Sequence, residues 1–115
     1  MSLIEQVLDA NDSDVRAVEC PEWGLTVHVR TLMADEADAL ERHIEEGVSQ
    51  SAALVGLSLC DEDGTRCKMT PSQMHALGKK SAAVVRRIAN VCLELNGWDE
   101  DAKKNSEPTD ASNSS

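Results

Sequence analysis

Pro21-Glu22-Trp23-Gly24-Leu25-Thr26-Val27-His28-Val29-Arg30-Thr31-Leu32 is the stretch whose reading decides the fold. Its apolar residues alternate, with Leu25, Val27 and Val29 on one face of a strand and Thr26, His28 and Arg30 on the other. A strand with one apolar face needs a neighbour beside it and a cover over it. The neighbour lies upstream, where Val15 to Cys20 reads as a first strand. Pro21 to Gly24 supplies the turn, Pro setting φ and Gly free to take a positive φ. The simplest arrangement is one antiparallel β-hairpin over about residues 15–32. Two strands alone are marginal in water, so a helix is expected on the Leu25/Val27/Val29 face.

Working outward, helical spacing surrounds the hairpin. Leu3, Ile4, Val7 and Leu8 predict a short first helix capped by Ser2, and the polar run Asn11-Asp12-Ser13-Asp14 stops it. Ala34 to Glu46 predicts a second helix with a narrow stripe of Ala37, Leu40 and Ile44. Its six carboxylates against Arg42 leave it at −5, and Gly47 is placed to end it. Ala52 to Cys60 is apolar all round and marks the most buried element; Ser51-Ala52-Ala53 favours helix over strand. After the acidic turn at Asp61 to Arg66, Thr70-Pro71-Ser72-Gln73 opens another helix, with Thr70 at N-cap, Pro71 at N1 and Gln73 at N3. The strongest helical signal runs from Lys79 to Asn96. Val84, Ile88, Val91 and Leu95 form its stripe, Val85, Ala89 and Cys92 widen it, and a net charge of +3 makes it the one basic element.

These elements predict an α+β fold: a mainly helical small domain over 1–98 with one β-hairpin. The composition changes after Trp98, and 99–115, dominated by polar and charged residues, is expected to be a disordered C-terminal tail. Trp98 itself is expected to cover the edge of a core that has neither Phe nor Tyr to seal it.

The chemistry of the chain is restricted. A formal net charge of −10 argues against phosphate-backbone binding and so against nucleic-acid partners. No run approaches about 18 apolar residues and the N-terminus lacks a basic leader, so neither a membrane span nor a signal peptide is expected. Cys20, Cys60, Cys67 and Cys92 show no C-x-x-C pair or zinc spacing and read as reduced thiols. Asp61-Glu62-Asp63-Gly64 fails as a calcium loop, because the first and twelfth ligand places fall on Leu59 and Thr70. His28, His43 and His75 lack a nucleophile or a ligand partner. His43 is read on a solvent-facing helix. Gly78-Lys79-Lys80-Ser81 lacks the upstream glycine of a phosphate loop, Gln73 standing there. No catalytic, cofactor or metal residue is assigned.

The order of the elements is informative beyond each one. Pro21-Glu22-Trp23-Gly24 with Val27-x-Val29-Arg30-x-Leu32 is followed by the acidic helix and by Leu57-x-Leu59-Cys60-Asp61-Glu62-Asp63-Gly64-x-Arg66. Ala76-Leu77-Gly78-x-Lys80-Ser81 and Leu95-Asn96-Gly97 complete the series. Together, across roughly residues 1–100, they resemble the tail assembly chaperones of long-tailed (siphovirus-type) bacteriophages. The resemblance implies a non-enzymatic protein that keeps the helical tape measure protein soluble and helps recruit tail tube protein. It implies a place in the cytoplasm of the bacterial host and absence from the mature virion. It also implies that a −1 ribosomal frameshift often appends a second domain. Ala102-Lys103-Lys104 is compatible with a slippery heptamer, A AAA AAG, in the gene.

A groove for a client helix is expected between the second helix and the basic helix, whose charges of −5 and +3 suit adjacent packing. Its nominated partner-binding residues are Ala37, Leu40, Ile44, Val84, Val85, Ile88 and Leu95, and self-association is a further possibility. The rival expectation is an acidic adaptor or nucleic-acid mimic that binds a basic partner.

Overall fold

The hairpin forms where the alternation places it. In the computed structural model, which describes residues 2–98, β1 (Val15–Cys20) and β2 (Leu25–Arg30) pair antiparallel, from Val15 opposite Arg30 to Cys20 opposite Leu25. The turn is one 3-10 turn, Pro21–Trp23, closed by Gly24 at φ 68, a left-handed value that a glycine adopts without steric cost. Val29, Val18 and Cys20 are buried, and Leu25, at the turn end of the same face, is half-exposed.

The helices follow. α1 (Leu3–Asp9) precedes the hairpin; α2 (Ala34–Glu45) and α3 (Gln50–Ser58) follow it; α4 (Pro71–Leu77) and α5 (Ala82–Leu95) complete the described fold. Ser2 and Glu5 cap α1 reciprocally, as Thr70 and Gln73 cap α4, each pairing satisfying orphan N–H groups at a helix start. Ser49 caps α3 through the Ala52 N–H.

Two expectations are corrected here. The apolar run ending at Cys60 is helical only to Ser58; Leu59–Cys60 turns out into a strand, β3, opposite Val29 and His28, giving a sheet ordered β1-β2-β3. The last helix begins at Ala82 rather than Lys79, because Gly78, Lys79 and Lys80 close successive turns onto the carbonyls of Met74, Ala76 and Leu77.

The core is built around α3. Ala52, Ala53, Leu54, Val55 and Leu57 are buried on every side of it, so it must be wrapped rather than covered on one face. α2, α4 and α5 pack around it, and α5 also covers β1 and β2. Gly56 admits α4: a Cβ there would lie 2.8 Å from Met74 Cγ and 3.1 Å from Met69 Sδ. Trp98, expected over the core edge, is instead 43 % exposed; Trp23, half-buried, packs on the core. The tail expected at 99–115 lies outside the described residues.

Candidate interaction surface

The seven residues nominated for partner binding divide sharply. Leu40, Val84, Val85 and Ile88 are buried, Ala37 and Leu95 are half-buried, and Ile44 is 38 % exposed. The expected groove between α2 and α5 is filled from within, because α3 packs against both. An all-apolar helix buries more surface by taking neighbours on two flanks than by leaving them to face each other. The expected charge pairing between α2 and α5 gives way as well. Arg87 of α5 forks onto Glu22 of the hairpin turn at 2.7 and 2.5 Å, and Arg16 of β1 reaches Glu94 at 2.9 Å.

Within α2 the acidic face has one inward member. Glu36 accepts from the Met33 N–H at 2.8 Å and lies 2.6 Å from Arg30 Nη2 and 3.2 Å from Arg66 Nε. This carboxylate ties α2, β2 and the segment after β3 together, while Asp35, Asp38, Glu41 and Glu45 remain exposed. His43 is not solvent-facing as read: its side chain is mostly buried, and Nδ1 has no hydrogen-bond partner and lies 3.9 Å from Glu46.

Two surfaces escaped the sequence reading. The first is α1, where Leu3, Ile4, Val7 and Leu8 are 63 to 77 % exposed and no residue of the helix is buried. Its stripe was legible, but burial was not; the isolating signal is the polar run 11–14 that separates it from β1. The second is a groove of about 260 Å³ where α3 begins, α4 ends and α5 begins. Leu77, Ala82 and Val85 line it with Lys80 and Arg86. Three elements meet there that are distant in sequence, so no local pattern announces it.

The thiols and histidines assemble no catalytic set. Cys20, Cys60 and Cys92 are buried and Cys67 is exposed. Burial pushes the Cys92 thiol up to about 11, which keeps it protonated and a poor nucleophile. Among the described residues no cluster of three His, Cys, Asp or Glu is placed to hold a metal ion, and no helix is long and apolar enough to cross a membrane.

No protein-family model matches the sequence, and no curated protein matches it. A solved structure does: the bacteriophage HK97 tail assembly chaperone superposes with a TM-score of 0.59 at 19% identity. The match covers 80% of this chain and 91% of the HK97 chain. At that identity the likeness lies in the path of the backbone. The fold described above is therefore one that this chain shares with the HK97 tail assembly chaperone.

Proposed function

We propose that this chain is a tail assembly chaperone of a long-tailed bacteriophage. In this reading it is a non-enzymatic binder that keeps the tape measure protein soluble and helps recruit tail tube subunits. It acts in the cytoplasm of the bacterial host and is left out of the mature virion. The observation that carries the reading is the fold, which spans 91% of the HK97 chaperone's chain. The chain's own chemistry is compatible: a net charge of −10 keeps a complex with an apolar client in solution.

Client capture needs apolar surface that the chain's own core does not use, and Ile44 on the rim of α2 supplies some of it. A substitution such as Leu40→Asp tests folding rather than binding, since Leu40 is buried. The informative variant is Ile44→Asp.

The test is co-expression with the tape measure protein of the same phage. The soluble yield of the client should rise severalfold, the two should co-purify, and the complex should survive about 0.5 M salt, where exposed charge pairs are screened. Ile44→Asp should lower the yield while leaving the fold intact. A client that stays insoluble overturns the reading. A complex that forms only at low salt transfers support to the acidic-adaptor alternative, which α2's exposed carboxylates favour. The frameshifted longer form is tested in the gene: codons for Ala102-Lys103-Lys104 that contain no slippery heptamer, or that lack an overlapping −1 frame, remove it.

A further inference from the structure

We infer that the slot where β3 stops beside β2 takes an extended, basic segment of another protein as a short added strand. This goes beyond the client-helix reading and does not depend on it, since the partner segment here is not helical.

The backbone of β2 is left open at that point. The Thr31 N–H donates to the Asp14 carbonyl at 3.0 Å, and antiparallel pairs alternate between bonded and non-bonded. Along the β1–β2 register, Val29, Val27 and Leu25 therefore exchange bonds with β1, while His28 and Thr26 turn their N–H and C=O groups to the other edge. His28 meets Cys60 of β3 there. Thr26 meets no strand, because β3 has only 2 residues and the chain then folds back. The Asp61 N–H donates to the Thr65 carbonyl at 2.8 Å, and the Gly64 N–H to the Asp61 carbonyl at 2.9 Å. An open edge of this kind pairs readily with an added extended chain.

The surroundings select the side chains such a segment would carry. A cavity of about 370 Å³ lies at the break, and Thr26, Val27, Leu59, Asp61, Glu62 and Cys67 are among its lining. Val27 and Leu59 are half-buried and give it an apolar wall, while Asp61 and Glu62 are exposed. Among the described residues neither carboxylate has a cationic partner. An apolar wall that ends at two carboxylates fits a Lys or Arg side chain, whose methylene stem packs while its charged head stays near water. A net charge of −10 draws cationic segments toward the surface and repels acidic ones. A helix does not fit, because its backbone groups bond within the helix and leave none for Thr26. A second copy does not fit either. Among the described residues its strands offer no free Lys or Arg, since Arg16 is bound to Glu94 and Arg30 to Glu36.

The test uses the full chain and a short capped peptide of alternating lysine and valine, titrated to about 2 mM. In the free protein the Thr26 amide should exchange with solvent faster than those of Val27 and His28, which have strand partners. The peptide should slow that exchange at least about tenfold. Cys67, the exposed cysteine, lines the slot, so its alkylation by iodoacetamide should slow severalfold as well. The same peptide methylated at every backbone amide keeps its charge but has no donors, and it should protect neither residue. A glutamate–valine peptide should not bind. Asp61→Asn with Glu62→Gln should weaken the lysine peptide about fivefold, the effect of two exposed ion pairs. Unchanged exchange at Val27 and Val29 checks that the sheet of this variant is intact. A methylated peptide that binds as tightly as its parent would reduce the contact to charge attraction and overturn the inference. A Thr26 amide that the lysine peptide does not slow would overturn it too. So would protection of Thr26 and Cys67 that grows with protein concentration alone, which would give the slot to a second copy.

Discussion

Glu36 shows how one side chain sets the relation of three segments. Its carboxylate is 11 % exposed and meets two guanidinium groups, Arg30 from β2 and Arg66 from the segment after β3, while also capping α2. Removing it as Glu36→Ala leaves Arg30, itself 12 % exposed, without its counter-charge. Loss of one partner from a mostly buried pair costs about 3 kcal/mol, and the midpoint of urea unfolding should fall accordingly. Glu22 offers a contrast at the surface. The Arg87 guanidinium, followed by the residue's own backbone N–H, holds the Glu22 carboxyl at about 2 against its ordinary 4.5. Because the folded value is the lower one, the unfolded chain binds the proton first. The pair's contribution is therefore full above pH 4.5 and is lost as pH falls toward 2. Carboxyl NMR should find Glu22 titrating near the lower limit in the wild type and back near its ordinary range in Arg87→Met. The stability difference between the two proteins should close over that same window. The longer-range pairings were not legible in sequence, since Glu36 and Arg66 are thirty residues apart and Glu22 and Arg87 sixty-five.

At the scale of the element, what the sequence revealed depended on contrast between faces. β2 alternates cleanly, and its hairpin register follows from that. α4 carries a complete start signal in Thr70, Pro71 and Gln73, and the helix begins there. The run from Ala52 to Cys60 has no polar face, so nothing in its pattern marks where helix yields to strand. Leu59–Cys60 becomes β3 because β2 offers it a free edge, a tertiary reason invisible to a local reading. The same loss of contrast hid the groove residues: a helix that shows apolar residues reveals that they are buried, but not by what. α3 was recognisable as the buried element, while its consequence, the separation of α2 from α5, was not. Its tightest contact gives a prediction. Gly56→Ala gains about 1 kcal/mol of helix propensity, but its Cβ meets Met74 Cγ at 2.8 Å, and that atom is near the root of a side chain held in the core. Overpacking of this kind costs about 1–3 kcal/mol, so the variant should unfold at lower denaturant than the wild type. A gain in stability would mean that α4 can withdraw without cost.

At the scale of the whole molecule, the body and its appendage obey different rules. The body hides its apolar residues around α3, and its fold was foreseeable because hairpin, caps and helical stripes agree with one another. α1 is locally as well specified as any element, with a capping box and a clear stripe, yet it buries nothing. Amphipathic pattern thus predicts the helix without saying which molecule covers its face. That distinction can be measured. Deleting residues 1–10 removes the four large apolar side chains of α1, each of which would be worth about 1.5–3 kcal/mol if buried in the core. Because all four are exposed, the deletion should shift the free energy of unfolding by no more than about 0.5 kcal/mol, the range of surface changes. The slope against denaturant should also hold, since little surface is newly exposed. A loss of several kcal/mol would place α1 on its own body and withdraw it from any partner. An unchanged unfolding curve would show that the stripe of α1 contributes nothing to its own body, as its exposure requires.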